Sequence, residues 1–158
     1  MSASKTFAAA ALAATLVALP AVAQEGPRPG YGPNITTAAA KRIAAGVLAE
    51  CAKNNWNVAV AVVDTAGGLV YYERMEDTQS ASFDIAIMKA KAAATYRRTT
   101  RVFMEGINKT PATATLPGVV GSPGGVPIFV GGKIIGAVGV SGVTGDQDEQ
   151  CAKAGIGS

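Results

Sequence analysis

Two apolar runs, each folding back on a pair of glycines, constrain this chain more than any other feature. Val58–Asp64 and Leu69–Met75 flank Thr65-Ala66-Gly67-Gly68, and Val126–Val130 and Ile134–Val140 flank Gly131-Gly132. Small and β-branched residues suit a pleated, half-buried surface, and Gly accepts positive φ in a tight turn. Each unit therefore predicts a β-hairpin. Gly136 and Gly139 lie inside the last strand, where Gly normally weakens a strand, so something must approach it closely, either another backbone or a ligand.

The segments around the hairpins read as helices. Ile43, Val47, Leu48 and Cys51 recur at helical spacing over about Thr37–Lys53, with Asn34 or Thr36 as the cap and Asn54-Asn55 as the stop. A second helix over about Ser82–Arg98 has Ser80 or Ser82 as its cap and a stripe of Phe83, Ile87, Ala90 and Ala94; its Ala-rich middle allows close approach to a sheet. Val102–Asn108 predicts a short helix, and Thr110–Pro127, with four Pro and four Gly, predicts a loop. Asp146-x-x-Glu149 resembles a capping box opening a last helix through about Ala154. The order α-β-β-α-(α)-β-β-α predicts an α+β domain, an antiparallel sheet of about four to five strands with helices packed on it.

The first residues stand apart. Lys5 is followed by the apolar run Phe7–Leu19, then Pro20 and Ala21-Val22-Ala23, the pattern of a secretory signal over residues 1–23. The run is shorter than the roughly 20 residues a spanning helix needs, and no later apolar stretch is long enough to span. The expectation is export to the periplasm or medium, a flexible Pro/Gly leader over 24–33, and one domain over 34–158. In an oxidising compartment the only two cysteines, Cys51 and Cys151, favour a disulfide over two separate buried thiols.

Composition excludes several chemistries. The chain has no His, so Ser-His-Asp and Cys-His catalysis and His-ligated metals are absent. A formal net charge of +3 gives no case for nucleic acid. Gly118 to Gly145 is rich in glycine; Gly121-Ser122-Pro123-Gly124-Gly125 and Ser141-Gly142-Val143-Thr144-Gly145 are either tight turns or a cradle of backbone N–H groups for an anion. Neither matches a P-loop or a dinucleotide fingerprint. Lys89, Lys91, Arg97, Arg98 and Arg101 form the most basic stretch, either a solvated helix end or a partner for acidic ligands. Glu73, Glu76 and Asp77 are weak candidates for a metal, because residues three apart on a strand face opposite ways.

Two stretches together resemble the GlcG/HbpS family of haem-binding and haem-degrading-like proteins. The first runs through Val62-Val63-Asp64, Gly67-Gly68, Arg74-Met75-Glu76-Asp77, Ser80, Ala86 and Lys89-Ala90. The second runs through Gly124-Gly125-Val126-Pro127-Ile128, Gly136–Gly142, Gln147-Asp148-Glu149 and Ala152. The resemblance implies a profilin-like sandwich, assembly into a homo-oligomer, and in some exported members haem binding. It carries Arg74, Lys89, Gly124, Gly125, Ser141 and Gly142 as pocket or scaffold positions. The expected function is an exported small-molecule-binding protein that holds haem or a related tetrapyrrole in a Gly-lined pocket. The rival readings are an enzyme acting on a small acidic metabolite, with Arg74 or Lys89 holding its carboxylate, and an oligomeric interaction protein. Without His, an iron ligand has to be Tyr, Met, Cys, Lys or a weak hydroxyl; Tyr31, Tyr71, Tyr72 and Tyr96 are the candidates of interest, and adjacent Tyr71 and Tyr72 face opposite sides of their strand.

Overall fold

The computed structural model describes residues 27–157; the signal read over 1–23 lies outside the described residues. The elements are α1 (Thr37–Lys53), β1 (Ala59–Val63), β2 (Leu69–Arg74), α2 (Ser82–Tyr96), α3 (Thr100–Lys109), a 3-10 turn (Pro111–Thr115), β3 (Gly125–Val130), β4 (Lys133–Ser141) and α4 (Gly145–Ile156). The four strands form one sheet in the order β2-β1-β4-β3, with all neighbours antiparallel. The fold is α+β, as the two hairpins imply.

Side-chain alternation along β1 sorts the helices onto the two faces. Val60 and Val62 pack with Val138 and Val140 under α1 and α4, through Ala44, Val47, Cys51, Cys151 and Ala152. Ala59, Ala61 and Val63 face the other way with Ala137, against Ala86, Ala90, Ala93 and Ala94 of α2. Both faces are covered, so all five residues of β1 are buried. On the first face, Cys51 and Cys151 form a disulfide with their Cα atoms 5.7 Å apart, joining α1 to α4. Closing a loop of this size contributes about 4–5 kcal/mol in the chain-entropy account.

Glycine makes the second face possible. A Cβ on Gly139 would fall on the Ala86 carbonyl oxygen and 2.5 Å from the Ala90 nitrogen, and one on Gly125, its cross-strand partner, would fall on the Lys89 carbonyl oxygen. The backbone of α2 therefore rests directly on the backbone of β3 and β4. The close approach foreseen at Gly139 is by a helix.

Several local expectations are corrected. Thr36 caps α1, but α2 starts behind Ala81 with no side-chain cap. It stops at Tyr96 because Arg97 turns left-handed, at φ 57°. The box that opens α4 is Thr144 with Gln147, two residues before the pair read from sequence; Asp146 and Glu149 bind Arg101 instead. The described part of the leader bonds to β4, beside the turn of the second hairpin. Ile134 N–H donates to Gly30 O at 3.0 Å and Gly32 N–H to Ile134 O at 2.8 Å. Among the described residues no helix is long and apolar enough to cross a membrane.

Replacing Gly139 with Ala overpacks the α2 seat and is expected to lower stability by about 1–3 kcal/mol, read as an earlier urea midpoint.

Candidate functional site

The glycine motifs and Lys89 converge on one buried node. Lys89 lies on the face of α2 that meets the sheet, flanked by Ala86, Ala90 and Ala93, so its stem is enclosed as α2 settles. Its ammonium donates to Asp148 Oδ2 at 2.7 Å and to Val140 O at 3.1 Å, and both charged side chains are only 2% exposed. The other oxygen of Asp148 accepts from the Val143 N–H at 3.2 Å. Burial pushes the Asp148 carboxyl above its ordinary range, against the lowering effect of Lys89 and of the Val143 and Gly142 N–H groups.

The remaining motif residues enclose this pair. Gly124 is at φ +123°, and a Cβ there would lie 2.7 Å from Val140 O and 3.0 Å from Lys89 Nζ. Gly125 N–H donates to Thr100 Oγ1 at 2.9 Å, and Ser141 Oγ donates to Ser82 Oγ at 3.1 Å. A Cβ on Gly142 would fall on the Asn57 carbonyl oxygen. Lys89, Gly124, Gly125, Ser141 and Gly142 are thus brought together, but these glycines face packed protein atoms. They do not form the Gly-lined pocket expected from the sequence. Arg74 is not part of the node; it lies exposed at the end of the edge strand β2. Asp148, Ser82 and Thr100 complete the node; the sequence marks Asp148 only as part of the family motif and Ser82 only as a helix cap, and does not mark Thr100. The signal that points to Asp148 is a lysine within an Ala-rich buried stripe, which requires a counter-charge.

Of the weak metal candidates, Tyr71 and Glu73 pair with each other. Tyr71 OH donates to Glu73 Oε2 at 2.7 Å, a bond that holds the phenol above its ordinary pKa, and Lys41 lies over the Tyr71 ring. Among the described residues no group of three or more His, Cys, Asp or Glu side chains is placed to hold a metal ion.

A cavity of about 390 Å³ lies elsewhere, where α2 ends and α3 meets the 3-10 turn. The left-handed Arg97 breaks α2 and directs the chain into α3, so Tyr96 and Arg98 face Phe103 across the break. The Tyr96 ring meets Phe103 edge-on at 5.1 Å, and the Arg98 guanidinium lies 5.7 Å from the centre of the Phe103 ring. Tyr96 OH donates to Pro117 O at 2.7 Å, drawing the loop over one side. Val102, Gly106, Thr113 and Leu116 complete an apolar lining, and Glu105 and Lys109 stand exposed at the rim. Sequence reading chose Tyr96 and Arg98 but missed Phe103 and Lys109, because the 3-10 turn that faces them lies in a segment without periodicity.

The chain is thus an α+β domain with a sealed polar node and a separate aromatic cleft lined by Arg98, Glu105 and Lys109. Comparison with known proteins narrows the class. The family model described as "Haem degrading protein HbpS-like" matches residues 35–157. Protein GlcG of Escherichia coli (strain K12) is 47% identical over 93 residues, covering 58% of this chain and 69% of GlcG. A solved double mutant of Streptomyces reticuli HbpS superposes with a TM-score of 0.75 at 30% identity, covering 89% of this chain and 97% of that one. The solved PduOC:Heme complex has the same fold, with a TM-score of 0.72 at 22% identity, covering 78% of this chain and 94% of that one. The chain belongs to the HbpS-like family.

Lys89→Met leaves the Asp148 carboxylate buried without its counter-charge and is expected to cost about 3–5 kcal/mol. Adding Asp148→Asn removes the charge while keeping an acceptor for the Gly142 and Val143 N–H groups. The double variant is expected to recover most of that loss in a denaturant titration.

Proposed function

We propose that this protein is an exported tetrapyrrole-binding protein that takes haem, or a macrocycle like it, at the α3 cleft. The observation that carries the reading is the lining of that cleft in a chain of the HbpS-like family. An aromatic and apolar floor from Tyr96, Phe103, Val102 and Leu116 suits a flat ring system, and Arg98 and Lys109 suit its acidic edge. A protein of the same fold, PduOC, is seen in complex with haem.

The residues present fit such a group in a restricted way. With no His in the chain, the oxygen donors in the cleft are Tyr96, Glu105 and Thr113. Tyr96 is the one of interest for iron, since phenolate is a known haem ligand. Haem supplies a redox-active iron when bound; the chain supplies binding and orientation. The cavity of about 390 Å³ would admit part of a macrocycle, held by Tyr96, Phe103, Arg98 and Lys109.

Export is supported by the signal pattern and by the Cys51–Cys151 disulfide, a bond that persists in oxidising compartments. Assembly into a homo-oligomer is part of the same reading, supported by exposed Phe83, Met88, Phe129 and Val130. The rival placement of a substrate carboxylate on Lys89 has no support in the geometry, because that ammonium is enclosed and paired.

Hemin added to the mature protein is expected to give a saturable, red-shifted Soret band at stoichiometric ratio. The double variant R98Q/K109Q is expected to bind about tenfold more weakly, the loss of one or two charge-assisted contacts. A wild-type spectrum equal to that of free hemin rejects the reading.

A further inference from the structure

The segment before α1 is bound to the end of α2 by side chains from both partners. Arg28 Nη1 donates to Tyr96 O at 3.1 Å. The Tyr31 hydroxyl lies 3.0 Å from Ala94 O and 3.1 Å from Thr95 O. In the other direction, Arg97 Nη1 donates to Pro29 O at 3.1 Å, and its guanidinium lies 5.5 Å from the centre of the Tyr31 ring. The strap is fixed behind Tyr31 by the backbone bonds of Gly30 and Gly32 to Ile134.

A helix end leaves its last carbonyls without partners inside the helix, and they need donors from elsewhere. Here Ala94 O accepts from the nearby Arg97 N–H at 3.3 Å, while Thr95 and Tyr96 take side-chain donors, and Ala94 a second one, from a segment more than sixty residues away. Tyr96 is the last residue of α2 and a wall of the cleft, and Arg98 follows across the left-handed Arg97.

We infer that residues 28–32 act as a positioning strap for the cleft: Arg28 and Tyr31 hold the α2 terminus so that Tyr96 and Arg98 face Phe103, and releasing them weakens ligand binding without unfolding the domain. The inference rests on the cleft being the ligand site, and it extends that reading to residues that do not line it. Tyr31 is 43% exposed and lies outside the core clusters, so loss of its hydroxyl opens no cavity in the core.

The test uses the mature chain carrying R28Q/Y31F. Amide hydrogen exchange without ligand reports the hold on the α2 end, and hemin titration reports its effect on the cleft. Expected are faster exchange at residues 95–98, hemin affinity lowered about tenfold, and a melting temperature within about 3 °C of wild type. Wild-type exchange at 95–98, or equal hemin affinity in variant and wild type, overturns the inference. If wild type itself takes no hemin, the ligand reading fails, and the exchange at 95–98 alone decides whether the strap holds the helix end. A second variant, Y31F alone, replaces the pair if R28Q/Y31F does not fold.

Discussion

The contact of the α2 backbone with β3 and β4 is the constraint from which the rest follows. It exists because Gly125 and Gly139 present no Cβ where Lys89 O, Ala86 O and the Ala90 nitrogen lie. A helix so close to a sheet leaves no water around its inner face. Lys89, which projects from that face, must then be neutralised within the protein. Asp148 supplies the charge and Val140 a carbonyl, while the N–H groups of Gly142 and Val143 hold the carboxylate in place. Since Asp148 sits in the first turns of α4, the ion pair ties a helix on one face of the sheet to one on the other. The Cys51–Cys151 disulfide then ties α4 to α1.

This arrangement separates the scaffold from the proposed binding surface. The family motif that spans Gly124 to Gly142 is used in making the scaffold, its glycines for close approach and Ser141 for a bond to Ser82, alongside Thr100 and the Lys89–Asp148 ion pair. The aromatic cleft is built where that regularity stops, around the break between α2 and α3. Irregular backbone at the edge of a rigid core leaves room for a ligand, whereas the core itself is filled. Arg97, with its left-handed backbone and its bond to Pro29, links the strap, the helix end and the cleft.

What was legible in the sequence divides along the same physical line. Local periodicity and turn chemistry placed both hairpins, α1 and the body of α2, because those signals lie within a few residues of each other. The disulfide could be anticipated from a count of two cysteines. The cap of α4 was misplaced because Thr144–Gln147 and Asp146–Glu149 offer the same spacing, and only the position of Arg101 separates them. The glycines were read as either turns or a cradle; choosing between these needs the atoms in front of each missing Cβ, which come from distant segments. Lys89 was marked by its motif, but its partner lies 59 residues away. The composition of the strap resembles a linker, and its bonds are all to residues far along the chain, so local sequence carries no sign of them.

Ferric haem broadens nearby amide resonances, so a heteronuclear NMR titration of the mature protein with substoichiometric hemin separates scaffold from site in one experiment. The account predicts that the amides of Tyr96, Phe103, Gly106 and Thr113 are lost first while those of Gly125, Ser141 and Gly142 persist. Early loss around Gly125, Ser141 and Gly142, with α3 unaffected, would contradict it.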